Sequence, residues 1–301
     1  MSSRNLLNLV LLVVVAVLVT VLIIDPGKKE TPVIKLTKLS KSDINKIKIE
    51  RPGAKTVVLE KKNDKWHMLK PYAMPADNFK ANAISELAET KAKAHYPIKK
   101  GENLKPYGLA PARLSVTLNN KVKLEFGNIE SLKYLRYIRE NNTLYLIFDH
   151  FFSNISNPPA EFVDHKLLAG KPVITKLQLP KLTLTADGDK WQAQPPVKQL
   201  SNDQVNELLD NWHGAHATDI LAYTPGKARV DAQARLYIKG QSKPLVFDII
   251  HNKHMVSFAR ADIGLQYEFI SDVAEDMLKL PIKIGKAKAK RISSKPEPGK
   301  K

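Results

Sequence analysis

Among side chains able to bind a metal or move a proton, this sequence offers eight histidines and no cysteine, which excludes disulfides, thiolate ligands and thiol nucleophiles. Two histidine pairs are close in sequence: His213 and His216 in "WHGAH", and His251 and His254 around "NK". Four imidazoles would suffice for a zinc or nickel site, but plainer roles fit them. His216 lies 121 positions after His95, as if both held one structural position at a helix end, where an imidazolium suits the helix dipole. His251 and His254 are expected to face each other across a hairpin turn. No GxSxG elbow, HExxH helix, phosphate loop or dinucleotide fingerprint occurs. The expectation is a protein with no catalytic residues, no metal and no cofactor.

The remaining candidates are two tryptophans and four arginines. Trp66 in "NDKWHMLKP" and Trp191 in "DGDKWQAQPP" stand at the same place in two similar segments. They are candidate partner anchors, although a hairpin tryptophan more often packs on its own sheet. Arg113 with Arg235, and Arg139 with Arg260, recur at spacings of 122 and 121. They are candidates for contact with a partner or an anionic group, and equally for structural salt bridges.

These recurrences belong to a longer series. "INKIKIE" (Ile44 to Glu50) alternates apolar and polar residues as a half-buried strand does, and "TVVLEKKNDKWHML" reads as a hairpin turning at Asn63-Asp64. "ITKLQLP" (Ile174 to Pro180) and "LTLTADGDKWQA" repeat that order. A helix follows in each: around Ile84, Leu87 and Ala88, and again from Ser201, where a capping box with Gln204 precedes Val205, Leu208, Leu209 and Trp212 on one face. Then come the hairpins "ARLSVTLNNKVKLEFGN" and "ARLYIKGQSKPLVFDI", the strand pairs "YLRYIRENNTLYLIF" and "MVSFARADIGLQYEFI", and short helices around His150 to Ser156 and Asp272 to Leu280. The expected fold is α+β, with two tandem copies of a β-rich unit (strand, hairpin, helix, antiparallel strands, short helix) over residues 35–168 and 169–284.

Ahead of them, Leu6 to Ile24 runs uncharged for 19 residues, about 28 Å as a helix, close to the thickness of a bilayer core. No small-x-small cleavage site follows, so the segment predicts a retained transmembrane anchor rather than a signal peptide. Residues 1–5 are then a cytoplasmic N-terminus, 25–34 a linker and 285–301 a basic flexible tail. The body is placed in the periplasm at the inner membrane, although Lys28 and Lys29 run against the positive-inside bias. The formal net charge is +18, of which +6 falls between Lys286 and Lys301. Such a tail suits contact with anionic lipid, and no nucleic-acid partner is expected.

"ENLKPYGLAPARLSVTLN" (Glu102 to Asn119), "LEFGN" and "YLRYIRENNTLYLI" together resemble the domain-of-unknown-function 4340 family, over roughly residues 60–270. The second copy, with "YTPGKARVDAQARL", lacks the Tyr-Gly-Leu-x-Pro turn. The resemblance implies a membrane-anchored protein accompanying gliding-motility-type ABC transport systems, with a permease as partner and no established catalytic residues to carry over. The function expected is thus a non-enzymatic accessory subunit of a transport complex. The alternatives are a membrane-tethered binding module for acidic lipid or cell-envelope polymer, and an unrecognised periplasmic hydrolase.

Overall fold

The computed structural model describes residues 3–24 and 34–281. Helix α1 (Ser3–Ile24) is apolar on all sides from Leu9 to Val19. Its side chains are described at Asn5 and Leu7–Thr20, and every one of them is exposed. Those 14 residues would span only about 21 Å, and counting described residues alone no helix is long and apolar enough to cross a membrane. The expected crossing over Leu6 to Ile24 therefore rests on the sequence. The basic tail, and the linker up to its last residue, lie outside the described residues.

The body is mostly sheet with few helices. In the first unit β1 (Lys46–Glu50), β2 (Val57–Lys62) and β3 (Lys65–Lys70) form a meander, followed by α2 (Asn78–Ser85) and edge strand β4 (Ala94–Pro97). Then come β5 (Leu114–Leu118), β6 (Val122–Ile129), β7 (Leu135–Glu140), β8 (Thr143–Phe148) and α3 (Phe152–Ile155). The second unit has β9 (Ile174–Leu179), β10 (Leu182–Asp187), β11 (Lys190–Gln194), α4 (Asn202–Gly214), β12 (Asp219–Ala222), β13 (Ala232–Ile238), β14 (Leu245–His251), β15 (Met255–Arg260), β16 (Leu265–Ile270) and α5 (Ser271–Leu278). Two large antiparallel sheets result, beside a small pair in which Ile34–Lys35 lies against Lys91–Ala92 just ahead of β4. The first runs β3-β2-β1-β5-β6-β7-β8-β4, with a two-residue strand Met74–Pro75 beyond β3, and the second β11-β10-β9-β13-β14-β15-β16-β12. Each labelled strand of the first sheet thus has a counterpart eight labels later, and Met74–Pro75 has none.

Local chemistry accounts for the elements. The turns before β3, β6 and β8 use Asn63 and Asp64, Asn119 and Asn120, and Asn141, all at positive φ, a conformation that tight hairpin turns use and that asparagine tolerates. Helix α4 starts at Ser201, whose hydroxyl and Gln204 form the expected capping box, and it buries Val205, Leu208 and Trp212. Asp77 caps α2 by accepting the Phe79 and Lys80 amides.

Alternate strand residues such as Ile47, Ile49, Leu114, Val116 and Phe126 are buried in one core that extends to Leu177, Leu236, Phe247 and Phe258 of the second unit. The units meet along residues 159–166. Ala76 bridges to Val163 and Lys166 to His216, while Glu161 pairs with Lys80 at 2.7 Å and accepts the Ile220 amide at 3.4 Å.

Candidate functional site

Pairing along the ladders shows which positions of the two units are equivalent. Trp66 opposes Lys61, Leu59 opposes Ile47, and Ile47 opposes Leu118. Trp191 opposes Ala186, Leu184 opposes Leu177, and Leu177 opposes Leu236. The two tryptophans therefore hold the same ladder position. Their environments differ. Trp66 is buried and donates its indole N–H to Asn82 Oδ1 at 2.9 Å, whereas Trp191 is half-buried against the core.

The arginine pairs are not equivalent, which corrects the spacing-based match. Arg139 follows the core residue Ile138, so it lies on the outer face, bound by Glu125. Arg260 lies two residues from the core residue Phe258, so it is on the core face, 5.7 Å from the Phe247 ring, with both Asp262 carboxylate oxygens as acceptors. Arg235 opposes Gln178 just as Thr117 opposes Lys48, which puts Arg113 four residues out of step. Arg113 donates to Asn128 Oδ1 at 2.7 Å and Arg235 to Gln233 Oε1 at 2.5 Å. The four do not converge on one site.

The histidines are equally dispersed. His95 lies in β4 opposite Tyr145, where the second unit has Ile220 opposite Tyr267. His216 falls outside β12 and stacks on His165, so it does not share the position of His95. His251 reaches Asp231 rather than His254, and His213 contacts the Pro172 carbonyl. Among the described residues no three metal-ligating side chains are grouped.

A different set of residues does converge, on the outer face of the first sheet. Tyr137 of β7 opposes Leu146 of β8, and Tyr96 of edge strand β4 opposes Leu144. The loop 102–111 crosses above them. Its Tyr107 carbonyl accepts the Asn128 amide at 2.7 Å, and Asn128 Nδ2 donates to the Pro106 carbonyl at 3.3 Å. Two glycines permit this approach. A Cβ on Gly127 would land on the Tyr107 carbonyl, and one on Gly108, itself at φ +67°, would land on the Asn128 side chain. The Tyr107 ring then lies 4.9 Å from Tyr137.

Between loop and sheet lies a groove of about 580 Å³, floored by Leu144 and Leu146, walled by Tyr96, Tyr107 and Tyr137, and carrying Glu102 and Glu130. Pro97, Ile98 and Lys99 complete it. Glu102 accepts the Tyr107 hydroxyl at 3.1 Å and the Lys99 amide at 2.9 Å. Donating that hydrogen bond to Glu102, with some help from burial and the negative charge, raises the Tyr107 phenol above its ordinary value. Burial, then the nearby charge of Glu130, raises Tyr137 likewise. Both phenols are neutral donors at physiological pH.

Residues 66–236 match the family described as Domain of unknown function (DUF4340). The chain belongs to the DUF4340 family. The match begins on Trp66 and ends within β13, so it contains the whole groove and the Tyr-Gly-Leu-x-Pro loop. No curated protein and no solved structure matches the chain. Within this DUF4340 chain the signature has a physical meaning: Gly108, Gly127 and Asn128 lock the loop onto β6. Sequence reasoning quoted these residues as a family mark yet did not single out the tyrosines and glutamates they position. The available signal was Gly127 inside an otherwise regular strand, which marks a close approach of another backbone.

Proposed function

We propose that this DUF4340 protein is a non-enzymatic, single-pass accessory subunit of an ABC-type transport complex, anchored at the inner membrane with its body in the periplasm. The observation that carries the reading is α1, whose large apolar side chains, Leu7 and those from Leu9 to Val19, are about half exposed or more, with Asn8 the one polar residue among them. A helix apolar on all sides belongs in a protein core or a bilayer, and none of its described side chains is buried. The sequence extends the apolar run to Ile24, long enough to span. Tethering raises the effective concentration of the body near a membrane partner. Thr20 bonds back to the Ala16 carbonyl within the helix, so it is not held in reserve for a neighbouring helix, and α1 is read as a simple tether.

The same ladder positions for Trp66 and Trp191, and the same strand order throughout, support reading the body as one unit duplicated. The test is purification of the full chain in mild detergent. A permease recovered in stoichiometric amount supports the accessory role. Recovery of the chain with acidic lipid or envelope polymer and no protein would replace it with the tethered binding module, which the excess of lysine favours. Protease added to sealed spheroplasts should digest the body, and full protection there would reverse the topology.

A further inference from the structure

The groove on the first sheet has the chemistry of a receptor for cations. Three tyrosines offer ring faces and edges around an aliphatic floor, and aromatic faces attract ammonium and guanidinium groups. In a chain of formal charge +18, Lys99 is the one basic residue lining the groove beside the two carboxylates. Neither Glu102 nor Glu130 forms an ion pair among the described residues, as six of the described glutamates do and Glu89, Glu140, Glu207 and Glu268 do not. Glu130 instead accepts the amides of Leu132 and Lys133 at 3.1 and 2.9 Å. That turn presents Leu132 and Tyr134, 87% and 76% exposed, with Ile129 also exposed beside the acid. Large apolar side chains displayed together next to an apolar groove mark a surface that a partner covers.

The strand beside the groove adds a second feature. β4 is the last strand of its sheet, paired with β8 on one side only. An edge strand is a template for pairing with an extended segment, and alternate side chains of such a segment would point to the groove side of the sheet.

We propose that β4 and the tyrosine groove together receive an extended segment of a partner protein, whose lysine or arginine side chain enters between Tyr96, Tyr107 and Tyr137 and is neutralised by Glu102 and Glu130. Its aliphatic stem lies on Leu144 and Leu146. The partner chemistry is thus the reverse of what the overall charge suggests: a basic, β-prone segment docks on an acidic spot of a basic protein. The choice of a protein partner rests on the accessory role above, while the cation preference rests on the groove alone.

The test uses the full chain in nanodiscs of zwitterionic lipid and two synthetic pentapeptides, acetyl-Val-Lys-Val-Lys-Val-amide and its glutamate counterpart, followed by titration calorimetry. The lysine peptide should bind at least about ten-fold more tightly, a difference of about 1.4 kcal/mol, and weaken with salt. Tyr137→Ser, which installs the residue found at the same ladder position of the second unit, should abolish the preference. Glu102→Gln with Glu130→Gln should reduce it about ten-fold, and these surface changes keep the test valid if Tyr137→Ser unfolds. Equal binding of both peptides, or a preference unchanged in the folded variants, overturns the proposal. So does a preference that emerges only after deletion of 286–301, because the groove would then be occupied by the chain's own tail. Failure to recover a transporter in detergent would leave the peptide preference standing, so the two readings fail separately.

Discussion

In the first unit the outer-face positions Leu144 and Leu146 floor, and Tyr137 walls, an open groove beneath a loop that Gly108 and Gly127 allow to close onto β6. At the same ladder positions the second unit has Ser257, Gln266 and Glu268, a closed polar cluster in which the Ser257 hydroxyl and the Gln266 amide both donate to Glu268 Oε1, at 2.5 and 2.9 Å. Where the first unit has Gly127, one residue past Phe126, the second has Ile250, one past Ile249. Ile250 is packed with Tyr223 and Ala259, and the Tyr223 hydroxyl donates to Asp248 at 2.9 Å. The same strand order therefore carries an open groove in the first unit and a closed polar cluster in the second. The strand order is shared, while both the outer face and parts of the core differ between the units.

The core side of that comparison should give the largest effects. Trp212 has no counterpart in α2. Its ring packs 5.5 Å from both Phe247 and Phe258, and its N–H donates to the Met277 carbonyl at 2.8 Å. Trp212→Ala and Trp66→Ala should each cost about 3–5 kcal/mol, and Trp191→Ala less than about half as much, because half-buried surface leaves no enclosed cavity. Urea titrations of the three variants check this. An equal cost at Trp191 would show that the equivalent ladder positions are equivalent in packing too.

Buried charge sharpens the contrast next. Arg136 is 5% exposed, 2.6 Å from Asp149 and stacked 3.7 Å from the Phe152 ring. Asp149→Ala strands that cation and should cost about 3 kcal/mol. Arg260 leans on Asp262, whose side chain is 59% exposed, so Asp262→Ala should cost under about 1 kcal/mol. Matching losses from the two variants in thermal melts would remove the distinction.

Gly127→Ala should cost about 1–3 kcal/mol through overpacking and move the loop off β6, weakening lysine-peptide binding as well. Ile250→Ala in the second unit should lower stability without touching binding. Peptide titration beside a melting curve separates these outcomes.

The smallest effect is on acid tolerance. Burial alone would raise the Glu125 carboxyl, but hydrogen bonds and charge from Arg139 and Lys123 outweigh it and hold the group below its ordinary 4.5. A depressed folded value adds stability that is complete above the unfolded value and is lost as pH falls through the folded one. Arg139→Met should therefore flatten the decline in urea midpoint below about pH 4.5 by a fraction of a kcal/mol. The opposite holds at Tyr267, whose hydroxyl is buried with no partner among the described residues. Burial pushes it up to about 12, so its contribution is intact below pH 10 and disappears as pH rises through 12. Tyr267→Phe should abolish that alkaline loss, and a midpoint unchanged between pH 10 and 12 in the parent chain would contradict it.

The sequence alone determined the order of most elements, though not the edge strands β4 and β12, because alternation, asparagine turns and the Ser201 capping box are local signals carried by neighbouring residues. It also placed Trp66 and Trp191 together, since both sit a fixed distance from a hairpin turn. It could not determine which face an arginine takes. Strand side chains repeat every two residues, so a match one residue out of step, as between Arg139 and Arg260, inverts the face while leaving a similar spacing. The turns vary as well, with two residues between β7 and β8 against four between β15 and β16. Only pairing across the sheet fixes the register, and only the long-range contact of loop 102–111 with Gly127 brings Tyr96, Glu102, Tyr107, Glu130 and Tyr137 to one groove. Those residues are separated by up to 41 positions, and no local propensity encodes a meeting over that distance.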